Sequence, residues 1–246
     1  MLNYQLHCNS LHIMENKTRK IVYNSKNIGG ILSKFATSFQ FKLLSFYKDK
    51  DVVDLIKEIK KEVDFAFYPY EAFMIHSIVK TQVSIEGDLA EVGVYQGGSA
   101  KLICEVKKGK KLYLFDTFTG LPEVSNDDTH FGKKYWHNNE FSNTSMEAIK
   151  KLLNKYDDVH IIEGIFPESG KEIINNKFCF VHLDVDLYKS TIDSLRFFFP
   201  KMVQGGIILI HDYHSNGIQK AFTEFKTENQ IQVIELTGSQ AMIIKN

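Results

Sequence analysis

The feature that most constrains the fold is a series of short, β-branched, nearly unbroken apolar runs separated by amphipathic stretches. Residues 89–94 (LAEVGV), 111–115 (KLYLF), 159–163 (VHIIE), 178–185 (FCFVHLDV) and 206–211 (GIILIH) are apolar at successive rather than alternate positions. Strands of that kind are covered on both faces, as in a parallel sheet with crossover helices above and below it. Two more runs, 231–236 (IQVIEL) and 241–244 (AMII), are joined by a tight GSQ turn. That turn is too short for a crossover, so the last pair must be antiparallel. A mostly parallel α/β sheet with a C-terminal antiparallel hairpin is therefore expected over residues 86–246.

The texture changes near residue 86. Upstream the chain is Lys- and Asn-rich, and residues 1–85 read as a mainly helical extension. Residues 51–64 place Val53, Ile56, Ile59 and Val63 at helical spacing, and 70–80 follow Pro69, a good first-turn residue. Residues 28–47 are apolar with scattered Lys. They suit a helix packed on the domain or on a second subunit better than one lying on a membrane surface. The extension is expected to cover the active site and to build a homo-oligomer interface, because the sheet does not require it.

Composition removes several function classes. A chain of 246 residues with 43% hydrophobic and 13% aromatic content is not disordered. Thirty basic residues balance thirty acidic ones. Only Arg19 and Arg196 are arginines, so nothing points to a nucleic-acid partner. Cys8, Cys104 and Cys179 are odd in number with no CxxC pair, which suggests a reducing, cytoplasmic setting. No stretch resembles a signal peptide or approaches the ~20 apolar residues of a transmembrane segment.

A parallel sheet ending in an antiparallel hairpin is the organisation of class I methyltransferases, and few dinucleotide-binding domains end that way. The first motif, Glu91-Val-Gly93-Val-Tyr95-Gln-Gly97-Gly98-Ser99, runs from a strand into a glycine loop and a helix. Such loops at strand carboxyl ends bind nucleotides. A dinucleotide fingerprint needs glycine where Tyr95 stands, so a pyrophosphate would be crowded out. A phosphate-free, positively charged cofactor near Glu91 fits better, and S-adenosylmethionine carries both an ammonium and a sulfonium. Asp116, followed by Thr117 and Phe118, ends the second strand, where it can accept ribose hydroxyls or simply cap the strand end. Glu163-Gly164-Ile165-Phe166 ends the third, where an adenine edge is expected.

Five blocks in order, GDLAEVGVYQGGSA, LFDTFTGLPE, EGIFPES, VHLDVDLYKSTIDSL and GGIILIHDY, resemble the sugar O-methyltransferases of the TylF, MycF and NovP type over residues 87–213. The first 80 or so residues are not convincingly covered. The resemblance implies a class I fold, S-adenosylmethionine as donor, and a divalent metal, usually magnesium, that holds two neighbouring sugar hydroxyls. By the same resemblance Asp184 is a metal ligand that also adjoins the cofactor, and Asp186 is the general base. Where the family commonly reads Asp-Asp-Tyr, this chain reads His211-Asp212-Tyr213. An imidazole ligand favours manganese or another transition metal over magnesium; alternatively, His211 turns away and leaves Asp184 and Asp212 as ligands.

Methyl transfer to an alcohol requires a base, because a neutral hydroxyl is a poor nucleophile. Asp184 and Asp186 are two apart and can serve metal and substrate separately only if the strand ends or twists between them. Ser190 and Thr191 read as caps of the following helix. The polar stretch 123–141 reads as a binding loop in which Trp136 and His137 stack on a sugar; its DDTH cluster suits substrate contact or plain surface. Methylation of a catechol-like diol, and a non-catalytic binding protein on the same fold, are the competing readings.

Overall fold

The computed structural model describes residues 26–246 apart from 131, 132 and 135, with side chains described from residue 33 and outside 130–135. Cys8 and Arg19 lie outside the described residues. The chain divides into two compact units, Met1–Tyr47 and Lys48–Asn246. The first contributes helix α1 (Lys26–Tyr47), along which Phe35, Phe39 and Phe46 are exposed. The second begins with α2 (Lys50–Glu62) and α3 (Pro69–Gln82), so these two helices group with the sheet, although the change of sequence texture falls later, near residue 86. Texture follows secondary-structure type, and compactness follows burial of apolar faces.

Helix α2 starts where the Asp49 carboxylate accepts a hydrogen bond from the Asp51 amide, and it buries Val53, Ile56 and Ile59. Pro69 opens α3, and the Glu71 carboxylate accepts from the Tyr68 amide at 2.8 Å, closing the first turn. The strands follow as β1 (Asp88–Val92), β2 (Leu112–Asp116), β5 (Val159–Glu163), β6 (Phe178–Leu183), β7 (Met202–Ile210), β8 (Val233–Glu235) and β9 (Ala241–Ile244). Their order across the sheet is β5-β2-β1-β6-β7-β9-β8. The first five are parallel, and β9 runs antiparallel to both β7 and β8, as the short turn demands.

Helices α4 (Gly98–Val106), α5 (Met146–Leu152), α6 (Tyr188–Phe198) and α7 (Asn216–Glu228) complete the layers. One side carries α2, α3 and α4, and the other pairs α6 with α7 over β6 and β7. Ile192, Leu195, Phe198, Ile218, Phe222 and Phe225 close that second face against Phe178, Val181 and Ile208. Each such side chain contributes about 1.5–3 kcal/mol when fully buried. Among the described residues of 123–141, β3 (Thr129–His130) and β4 (Lys133–Lys134) pair antiparallel and the rest is mainly irregular.

Two local expectations are corrected. Ser190 and Thr191 do not cap α6: its N-cap is Leu187, and the buried Thr191 hydroxyl donates to the Leu187 carbonyl at 2.8 Å inside the helix. A hydroxyl bonding back one turn satisfies itself without reaching a helix-start amide. The 123–141 stretch is also less exposed than its polarity suggests. Trp136 is buried with Leu121, Val124 and Leu187, so it does not stack on a sugar, and Asp128 is enclosed. The Asp128 carboxylate accepts from the Ser125 amide and hydroxyl and from the Tyr188 amide, tying the loop to the start of α6. Among the described residues no helix is long and apolar enough to cross a membrane.

Candidate active site

Between β1 and β6 the strand order reverses: β2 and β5 lie to one side, β6 and β7 to the other. Open α/β sheets bind ligands outside the carboxyl ends of the strands at such a switch point. Four of the eight described non-glycine residues with positive φ lie at this edge. Tyr95 after β1, Phe118 after β2, Asp186 after β6 and Asp212 after β7 are non-glycine residues with φ of 49°, 53°, 59° and 51°. Each left-handed residue costs roughly 1–2 kcal/mol, and residues held this way cluster at functional sites.

The β1 loop is fitted to the tip of β6. Gly93 has φ 85°, and a Cβ placed there would lie 1.9 Å from the Asp184 carbonyl oxygen. Gly97, also left-handed, is the N-cap of α4, whose first turn holds the buried Ser99. Tyr95 points its hydroxyl to the Asp64 carboxylate at 3.2 Å, and its ring meets Phe141 edge-on. Asp116 organises both neighbouring loops. Its Oδ2 accepts from the Val94 and Tyr95 amides at 2.7 and 2.8 Å, and its Oδ1 accepts from the Phe118 amide at 2.8 Å. A carboxylate has about four lone-pair sites, so capping leaves room for a ribose hydroxyl. The Thr117 hydroxyl donates to the Gly120 carbonyl and so belongs to the DTF turn. Gly164, at the tip of β5, is bonded to the Asp116 carbonyl, and Ile165 beside it is exposed.

Glu91 has a partner that sequence reasoning did not see. In the parallel pairing of β1 with β6 it stands opposite His182, and its Oε1 lies 2.7 Å from His182 Nδ1. Both side chains are completely buried, and Ser99 also bonds to Glu91. Burial pushes the Glu91 carboxyl above the usual range, outweighing the opposing effect of His182.

At the other side of the switch point, Asp184, His211 and Asp212 come together. One ligand atom from each lies within 4.8 Å of the other two. His211 Nδ1 is 3.1 Å from Asp184 Oδ1 and 3.4 Å from Asp212 Oδ2. Strand β6 ends at Leu183, and just beyond it Asp186 sits in a left-handed turn with φ 59°, so its side chain no longer follows the face that residues two apart share in a strand. The Asp186 carboxyl bonds to Asp212, which brings it into the same cluster. Burial, then the charges of Asp212 and Asp184, raise the Asp186 carboxyl well above its ordinary value. Burial opposes the imidazolium of His211, but Asp212 and Asp184 outweigh it and the ring's pKa rises. Burial likewise opposes the Asp212 carboxylate, and the charge of His211 overrides it and holds Asp212 low.

Three further residues complete the centre. Phe67 sets its ring edge-on to His211 at 4.6 Å between centroids. Glu71, buried on α3, reaches the far side of the imidazole, where its Oε2 is 3.6 Å from His211 Nε2. Ser239, in the β8–β9 turn, places its hydroxyl 2.9 Å from the same nitrogen. Sequence offered no signal for these contacts beyond the helix-start pattern at Tyr68–Glu71, because they join segments far apart in the chain.

The macrocin-O-methyltransferase (TylF) family matches residues 73–237. Among curated proteins, the chain is 27% identical over 154 residues to the 8-demethyl-8-(2,3-dimethoxy-alpha-L-rhamnosyl)-tetracenomycin-C 4'-O-methyltransferase of Streptomyces olivaceus, covering 58% of this chain and 59% of that one. It is 23% identical over 168 residues to the mycinamicin III 3''-O-methyltransferase of Micromonospora griseorubida, covering 62% and 66%. The match thus spans about three fifths of these relatives' length. Among solved structures, the O-methyltransferase NovP superposes with TM-score 0.59 at 21% identity over 72% of this chain and 79% of its own. The calicheamicin methyltransferase CalS11 superposes with TM-score 0.63 at 16% identity over 89% and 93%. These likenesses show the class I methyltransferase fold. With the TylF match extending over more than half of its length, the chain belongs to the macrocin-O-methyltransferase family.

Proposed function

We propose that this protein is an S-adenosylmethionine-dependent O-methyltransferase that methylates a sugar hydroxyl on a glycosylated small molecule or nucleotide sugar, assisted by a divalent cation. The observation that carries the reading is the convergence of Asp184, His211, Asp212 and Asp186 beside the glycine loop at the switch point of the sheet. Relatives named for methylating rhamnosyl-tetracenomycin and mycinamicin support the acceptor class.

The donor set fits a metal: two carboxylates and an imidazole, with ligand atoms within 4.8 Å of one another, can surround one ion at ordinary bond lengths near 2.0–2.3 Å. When bound, S-adenosylmethionine would supply the methyl group and a divalent cation would acidify the acceptor hydroxyl. The chain's own residues do the rest. Gly93, Tyr95, Gly97 and Ser99 shape the pocket for the amino-acid end of the cofactor, and Glu91 lies buried beneath that loop with His182. Asp116 takes the ribose, and Gly164 and Ile165 flank the adenine. Asp184, His211 and Asp212 would hold the cation, and Asp186 would accept the proton of the attacking hydroxyl.

The part of the N-terminal extension that groups with the sheet is proposed to cover the site, where Phe67 and Glu71 meet His211, and helix α1 to form a homo-oligomer interface. Phe35, Phe39 and Phe46 fall on one face of α1 at helical spacing and are exposed. A cytoplasmic site of action fits the buried free thiols Cys104 and Cys179.

The test is methyl transfer from radiolabelled S-adenosylmethionine across a panel of nucleotide sugars and glycosides, alongside melting curves with S-adenosylhomocysteine and with NAD. Transfer to a sugar and stabilisation by S-adenosylhomocysteine alone are expected. Stabilisation by NAD alone, or transfer to catechols but to no sugar, would overturn the assignment.

A further inference from the structure

The metal centre is built around an imidazole, and an imidazole ligates through one nitrogen only if its proton sits on the other. Hydrogen-bond counting at Glu71 and Ser239 fixes which nitrogen that is. Both oxygens of the buried Glu71 carboxylate face backbone donors: Oε2 accepts from the Tyr68 amide at 2.8 Å and Oε1 from the Ser239 amide at 2.8 Å. The Ser239 hydroxyl also donates to Glu71 Oε1, at 2.8 Å. A serine hydroxyl has one proton. Spent on Glu71, it leaves only oxygen lone pairs for His211 Nε2 at 2.9 Å, so Nε2 must be the protonated nitrogen that donates to Ser239. Nδ1 faces Asp184 and Asp212, and with the Nε2 proton held by Ser239 it is the nitrogen that can give up its proton and ligate a cation between them.

The surrounding structure is shaped for this contact. Gly238 has φ 89°, and a Cβ there would stand 2.5 Å from Glu71 Oε1, so the hairpin turn approaches the carboxylate as closely as only glycine allows. The Ser239 carbonyl accepts from the Tyr213 amide at 2.8 Å, pinning the turn to the strand tip that carries His211.

We propose that Glu71, acting through Ser239, is a positioning residue that fixes His211 as an Nδ1 metal ligand, giving a two-carboxylate, one-imidazole centre that takes a first-row transition ion such as Mn(II) in preference to Mg(II). The inference rests on the metal reading above. A carboxylate behind a ligating histidine orients the ring, and losing such a partner typically weakens metal binding about 10–100-fold. Mg(II) prefers an all-oxygen shell.

The test is titration of the protein with Mn(II), free ion being followed by electron paramagnetic resonance, with Mg(II) as competitor and a melting curve for every variant. Glu71→Gln and Ser239→Ala are each expected to weaken Mn(II) binding within that 10–100-fold range, while S-adenosylhomocysteine affinity holds. In a His211→Asp background there is no imidazole to orient, so Glu71→Gln should cause no further loss. Equal Mn(II) affinity in wild type and both variants overturns the relay. So does an equal loss from Glu71→Gln in both backgrounds, which marks a merely structural role. If Glu71→Gln fails to fold, Ser239→Ala decides alone. Wild type that binds neither Mn(II) nor Mg(II) overturns the metal reading itself, and the relay with it. Mg(II) displacing Mn(II) at equal concentration refutes the selectivity.

Discussion

Replacing Gly93 by alanine tests whether the glycine loop and the strand tip that carries Asp184 are one fitted unit. Two costs add. The backbone there has φ 85°, and holding an alanine in the left-handed region costs roughly 1–2 kcal/mol. The new Cβ would also stand 1.9 Å from the Asp184 carbonyl oxygen, a backbone atom that cannot swing aside as a side chain can. Overpacking of this kind adds about 1–3 kcal/mol. The sum, about 2–5 kcal/mol, corresponds to a melting temperature lower by roughly 5–20 °C in a chain of this size. Gly109→Ala is the internal control, because Gly109 has φ 77° with nothing within 4 Å of its Cβ position. It bears the dihedral strain alone, about 1–2 kcal/mol. Calorimetric melting of both variants, with titration of S-adenosylhomocysteine and Mn(II), reads the difference. Gly93→Ala should be the less stable and should bind both ligands more weakly, because any relief of the clash moves Asp184. Equal stability and unchanged binding in the two variants would refute the reasoning.

Asp186→Asn should lower turnover about 10²–10⁴-fold while leaving S-adenosylhomocysteine and metal binding near wild type, whereas Asp184→Asn should lose metal affinity and activity together and recover activity at high metal. Equal loss of metal binding in the two variants defeats the division of roles. Asp116→Ala removes the acceptor of three backbone amides, so it should lower both the melting temperature and cofactor affinity; loss of neither would mean that Asp116 organises nothing. Glu91 has a folded-state pKa raised by burial, so the native protein holds a proton that the unfolded chain has already released. Stability relative to Glu91→Gln should therefore fall as pH rises from the unfolded carboxyl value toward the folded one, and a pH-independent difference in denaturant midpoint contradicts this.

The strands were legible because each is an unbroken apolar run covered on both faces. Residues 159–163 and 241–244 match the observed strands residue for residue, while the run 178–185 ends at Leu183 because the left-handed turn at Asp186 stops the pairing. No hydropathy pattern carries that turn. The convergence of Asp184, His211 and Asp212 was legible from the family resemblance, since these residues follow two strands whose adjacency the fold dictates. What surrounds them was not. Glu71 reads locally as a helix-start residue and Ser239 as a turn residue, and each does that work. Their meeting at His211 arises from the packing of α3 on β6 and β7 and from the closure of the last hairpin onto β7. Likewise Glu91 meets His182 only through the register of β1 with β6, and the burial of Trp136 comes from a loop that folds back on Leu187.

Metal-assisted methyl transfer at the Asp184–His211–Asp212 centre stands or falls on what chelation does to turnover. The most direct test is turnover with a sugar acceptor and saturating S-adenosylmethionine before chelation, after exhaustive treatment with EDTA, and after return of Mn(II) or Mg(II). Chelation should abolish transfer and Mn(II) should restore it more fully than Mg(II), while S-adenosylhomocysteine should still bind the metal-free protein. Undiminished transfer by the chelated enzyme would contradict metal assistance.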